Sequence, residues 1–143
     1  MLSKQNVLAT LAGTLAMFIL GYVIWGIATV SFFEGHTLMS GAMKGEDELN
    51  LGLIFVANLA SVLAMSTLYG KWAGGHHSAG GGLHFGAWIG IFVGIGSGLL
   101  MYATTNLMDG TGYAVEAVLD IVFYAIIGMI IALVYKATAP KAA

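Results

Sequence analysis

The sequence contains no cysteine and no arginine. Without cysteine there are no disulfides, no thiolate metal sites and no thiol nucleophiles. Charge is scarce as well: 8% of residues are charged, against about 25% in an ordinary soluble domain. A chain this poor in charge cannot clothe a water-facing surface. Five lysines stand against seven acids, for a net charge of −2, and they form no basic stripe for nucleic acid. HExxH, GxSxG and the P-loop are absent, so no enzymatic constellation is expected.

Apolar residues are abundant, at 59% of the 143 positions, which excludes disorder. A membrane helix needs about 20 mostly apolar residues, and four stretches qualify: 7–30, 49–70, 83–107 and 112–135. The first two carry no charge, the third has only His84, and the fourth has Glu116 and Asp120. The first is longer than the apolar region of a signal peptide, about 7–15 residues, and is read as retained. The expected fold is all-α: a single membrane domain over 1–143, a four-helix bundle with a glycine-grooved third helix.

Lysines orient such a bundle, because cytoplasmic loops carry excess positive charge. Lys4, Lys71, Lys136 and Lys141 fall on one side; only Lys44 falls on the other, beside Glu34, Glu46, Asp47, Glu48 and Asp109. Both termini are therefore expected in the cytoplasm. Phe32, Phe33, Tyr69, Trp72, Tyr113 and Tyr135 lie at the expected interfaces, where aromatic rings collect. Loop 31–48 reads as solvated and 70–82 as glycine-rich and flexible.

Gly82, Gly86, Gly90, Gly94 and Gly98 recur every four residues. On a helix they form one smooth groove, and small residues let two backbones approach closely in lipid. Two readings stay open: packing within the monomer, or an interface with another copy or a partner.

Glu116 and Asp120 are four apart and share a helix face. At about 1.5 Å per residue, Asp120 lies about 12 Å inside its span. A charge at mid-bilayer costs at least about 2.5–3.5 kcal/mol. Asp120 must face the bundle interior or a watery crevice, or be protonated. Tyr124 extends that helix face, Asn58, Thr105, Asn106 and Trp25 fall at similar depth, and an outer polar pocket built from all four helices is expected. Three readings of Asp120 remain: an interhelical pin to Asn58, Thr105 or a tyrosine hydroxyl; a proton- or cation-responsive site; or a contact with another subunit.

His76, His77 and His84 lie toward the lysine-bearing side. They read as solvated or interfacial, with a metal or haem role as the alternative. No cofactor is expected.

The chain resembles two related families of small bacterial four-helix membrane proteins known only as domains of unknown function. The resemblance rests on Gly90-x3-Gly94, Tyr102-Ala-Thr-Thr-Asn106-Leu107, Leu119-Asp120-Ile121 and Gly128. In the first helix it rests on Ile24-Trp25-Gly26, Phe32-Phe33 and Gly35. It implies four membrane helices and a recurring role for the Asn106–Asp120 neighbourhood, and it implies no activity. The expected location is the bacterial inner membrane. The leading functional expectation is a non-catalytic homo-oligomeric module or an accessory subunit of a membrane complex. The alternative is a proton- or cation-linked transporter or channel using Glu116 and Asp120. A redox or metal-binding protein and a lipid-acting enzyme follow, with less to support them.

Overall fold

The structure is a computed structural model and describes residues 3–42 and 44–139. Lys141, one of the orienting lysines, lies outside the described residues. The chain is 82% helical, with no strands among the described residues. Four helices are long and apolar enough to cross a membrane: Lys4–Ala28, Leu51–Trp72, Ala79–Thr104 and Gly110–Thr138.

Side-chain caps place their first turns. The first backbone amides of a helix lack intrahelical acceptors, and a Ser, Asn or Asp oxygen supplies one. Ser3 accepts from the Asn6 amide at 3.1 Å, Asn50 from Leu53 at 3.0 Å, Ser78 from Gly81 at 3.0 Å and Asp109 from Gly112 at 2.8 Å. The helices therefore begin where a cap stands, not where hydropathy rises. The first and third long helices start well before the apolar stretches do.

The first long helix is α1, Lys4–Gly21, continued by a π-helical segment, Tyr22–Ala28. A short α2, Val30–His36, follows. The second is α3, Leu51–Trp72. The third is α4, Ala79–Gly90, then a π-helical segment Ile91–Ser97, then α5, Gly98–Thr104. The fourth is α6, Gly110–Thr138. Part of loop 31–48 is thus helical. Its exit is tied down: Leu38 donates to the Leu107 carbonyl at 2.9 Å, and the Asp109 amide donates to the His36 carbonyl at 3.0 Å.

Helix α6 is the hub and packs against α1, α3 and α4. Helices α3 and α4 meet at the lysine-bearing end, where Phe85 contacts Tyr69 and Trp72 with centroids 5.5 and 5.6 Å apart. Toward the other end they diverge, and residues 51–57 are exposed on every face. The buried core runs through Met17, Val62, Tyr69, Phe123, Ile127 and Ile131.

The glycine groove is filled from within the chain. A Cβ at Gly90 would stand 2.5 Å from the Ile121 Cα, and one at Gly94 would stand 2.8 Å from the Ala117 Cα. Gly82 abuts the Gly128 carbonyl, and Gly86 abuts the Tyr124 carbonyl and the Ala125 Cα. Backbone thus lies on backbone over three turns. Gly98 is looser, with only the Tyr113 ring at 4.0 Å. Of the two readings of the stripe, the fold displays packing within the chain.

Candidate functional site

Glu116 and Asp120 sit on the α6 face between the first and third long helices. Each of those helices turns π-helical beside them. A π-helical turn bonds i to i+5, widens the helix, and is often found at functional sites. In the first helix the widened turn closes with the Thr29 amide donating to the Ile24 carbonyl at 2.9 Å. It carries Trp25, whose Nε1 donates to Glu116 Oε2 at 2.9 Å. The Trp25 ring also meets Phe123 edge-on, with centroids 4.9 Å apart.

The second π-helical segment holds Gly94. The absent side chain there makes the seat for Asp120: a Cβ on Gly94 would stand 2.9 Å from the Asp120 Cβ. Asp120 is 9% exposed. Among the described residues its carboxyl has no hydrogen-bond partner and no cation within ion-pair distance, and its oxygens keep a sliver of accessible surface. Beside it, Gly94 and Ala117 line a crevice of about 210 Å³ between the third and fourth helices, continued by Gly98, Tyr102 and Tyr113. Tyr124, one turn further along α6, lies within electrostatic reach of both carboxyls.

The expected pocket is therefore smaller than four helices. Trp25, Glu116, Asp120 and Tyr124 come together. Asn58 is half-buried on α3, Asn106 is exposed beyond α5, and neither side chain makes a hydrogen bond among the described residues. The cause is the splaying of α3, which removes its outer half from the site. Thr105 instead bonds the Met101 carbonyl at 2.8 Å and meets the Tyr113 hydroxyl at 3.3 Å. Asp120 pins none of its expected partners.

The histidines are also dispersed. Among the described residues no three His, Asp or Glu side chains are placed to hold a metal ion. His84 accepts from Trp88 Nε1 at 3.0 Å on the outer face of α4. The His77 ring lies against Tyr69 and Tyr135, with centroids 5.7 and 5.1 Å away. Burial, and secondarily the neighbouring His76, hold its imidazole below the ordinary range. At the opposite end His36 Nδ1 meets Asp109 Oδ2 at 2.8 Å. The Gly112 amide, and next this histidine, keep the Asp109 carboxyl below the usual carboxylate range.

One cluster escaped the sequence reading. Asn6 is 2% exposed and donates to Thr67 Oγ1 at 3.0 Å. Thr10 donates to Asn6 Oδ1 at 3.3 Å, and Ser66 to the Asn6 carbonyl at 3.4 Å. The Tyr135 hydroxyl donates to the Ser66 carbonyl at 3.0 Å. The signal was present: Asn6, Thr10 and Thr14 recur every four residues along one face of an apolar helix.

Compared with known proteins, the chain matches no family model, no curated protein and no solved structure.

Proposed function

We propose that the chain is a non-catalytic integral membrane protein whose Glu116–Asp120 pair is a proton- or cation-responsive site. Four spanning helices and the lysine bias support insertion in the bacterial inner membrane with both termini cytoplasmic. The resemblance in the second hairpin supports the same architecture. The observation that carries the functional reading is the acid pair itself: two carboxyls with no cation within ion-pair distance among the described residues, flanked by two π-helical segments, with a crevice lined by the neighbouring Gly94 and Ala117. Ionisable groups inside membrane bundles mark ion or proton sites by default. Protonation of Glu116, or a cation bound there, changes the acceptor that Trp25 meets, and Trp25 belongs to a wide, deformable turn.

The test is optical. With Trp72 and Trp88 replaced by Phe, Trp25 is the sole indole. Its emission should change with pH or with added cation in this protein, and should be flat in the same background carrying Glu116→Gln. A flat response before that substitution defeats the reading.

A second reading, a homo-oligomeric module or accessory subunit, is favoured by the outer half of α3. Two turns of helix stay exposed on every face there, with Phe55 meeting only the Phe18 ring edge-on at 5.8 Å. Purification from native membrane in mild detergent should then yield more than one copy or a companion subunit. A lone 14.9 kDa chain would remove this reading.

A further inference from the structure

At the lysine-bearing end a cleft of about 350 Å³ opens between α1, α3, α6 and the turn after α3. That volume is within the range of about 300–1,000 Å³ usual for small-molecule sites. Its lining includes Ser3, Asn6, Thr67, Lys71, His77 and Tyr135. The acid pair is remote from it, at the other end of α6.

Three features give the cleft its chemistry. The Lys71 ammonium is unpaired among the described residues. The His77 ring makes no hydrogen bond among the described residues; its Nδ1 is sealed from the surface, while its Nε2 is not. An unmet buried polar atom is uncommon and calls for an explanation. The nearby Tyr69 hydroxyl is in the same state, facing the Ser78 amide without reaching hydrogen-bond geometry. Finally, among the described residues no carboxylate lines the cleft. Five of the seven acids fall in or beside the loops of the opposite end, and the other two are Glu116 and Asp120. Lys4 and Lys136 add positive charge at this end.

An ammonium, an imidazole nitrogen able to donate and the Ser3 hydroxyl, with no carboxylate facing them, suit an anion. We infer that this cleft binds a phosphate group. Lys71 supplies the charge, His77 donates to a phosphate oxygen through Nε2–H, the ring nitrogen that is not sealed, and Ser3 donates its free hydroxyl proton while its oxygen caps α1. Basic pockets between helices on the cytoplasmic side bind anionic headgroups in other membrane proteins. The phosphate has two sources, an anionic phospholipid headgroup or free phosphate. The inference stands apart from the acid pair and shares only the membrane setting, which the lipid arm uses.

The full-length protein in a neutral detergent tests it, with thermal unfolding followed against three additions: dihexanoyl phosphatidylglycerol, inorganic phosphate and dihexanoyl phosphatidylcholine. Phosphatidylglycerol should raise the melting temperature saturably, and phosphatidylcholine should not. Stabilisation by inorganic phosphate as well assigns the site to the phosphate group alone; stabilisation by the lipid alone assigns it to the headgroup. Lys71→Gln, at an exposed position, should weaken the apparent affinity at least tenfold. His77→Phe keeps the ring between Tyr69 and Tyr135 and should weaken it similarly. Both variants should melt normally without ligand. Equal response to phosphatidylcholine, no response to either anion, or unchanged affinity in Lys71→Gln would overturn the inference.

Discussion

Replacing Gly86 by alanine should destabilise the protein by about 3 kcal/mol or more, while the same replacement at Gly80 should be neutral or mildly stabilising. The two positions lie on one helix, α4, but on different faces. At Gly86 the new methyl would meet the Tyr124 carbonyl and the Ala125 Cα, both backbone atoms of α6. Neither can rotate aside as a side chain would, so the two helices must separate. Overpacking typically costs about 1–3 kcal/mol where side chains can adjust; a backbone-on-backbone contact stands at or above the top of that range. Separation also forfeits close contact along the neighbouring Gly82 and Gly90, and in lipid such contact is a main source of helix association. At Gly80 nothing lies within 4 Å. Alanine there gains up to about 1 kcal/mol in helix propensity. Denaturant-dependent unfolding in mild detergent, followed by circular dichroism, checks both. Equal effects at the two sites would mean that the α4–α6 contact is not as close as described.

The second large effect concerns Trp25 and Glu116. Their hydrogen bond couples a ring on a widened turn of the first helix to a carboxyl on the fourth. A hydrogen bond to a charged group contributes about 1.5–3 kcal/mol, and one between neutral groups about 0.5–1.5. The coupling therefore weakens when Glu116 takes up a proton, and the indole environment changes with it. The emission response of Trp25 should vanish completely in Glu116→Gln. In Asp120→Asn it should persist with an altered midpoint, because Asp120 is the nearest ionisable neighbour. That variant should still fold, since Asp120 holds no hydrogen bond to lose. If Asp120→Asn unfolds the protein, the carboxylate is structural and the responsive-site reading falls.

Much of the architecture was written in hydropathy alone. Four apolar stretches became four long helices, and glycines every four residues became a seat for the adjacent helix. The shared face of Glu116 and Asp120 followed from helical spacing. What stayed hidden has a common cause. In a bilayer an apolar side chain is equally comfortable against lipid or protein, so the pattern of Leu, Ile and Val does not reveal which face is inside. Nothing in residues 51–57 announces that this half of α3 stays exposed and apart from the acid pair, and Asn58 and Asn106 were consequently assigned to a pocket they do not line. The π-helical segments were invisible for a different reason. An i to i+5 turn has no composition of its own; it arises where packing demands a wider helix, here around Trp25 and Gly94. The caps at Ser3, Asn50, Ser78 and Asp109 were readable in principle, because polar residues before apolar runs carry that meaning.

The central proposal is that most of this polypeptide lives in hydrocarbon, with α6 crossing it and the lysine-bearing end inside the cell. The chain lacks cysteine, so any cysteine introduced is unique and can be probed with a membrane-impermeant maleimide on spheroplasts. Glu48→Cys should label in intact spheroplasts, and His76→Cys only after lysis. Val118→Cys lies on the open face of α6, 62% exposed in the isolated chain, and should label in neither because lipid covers it. Labelling of Val118→Cys by the aqueous reagent, or of His76→Cys before lysis, would contradict the account.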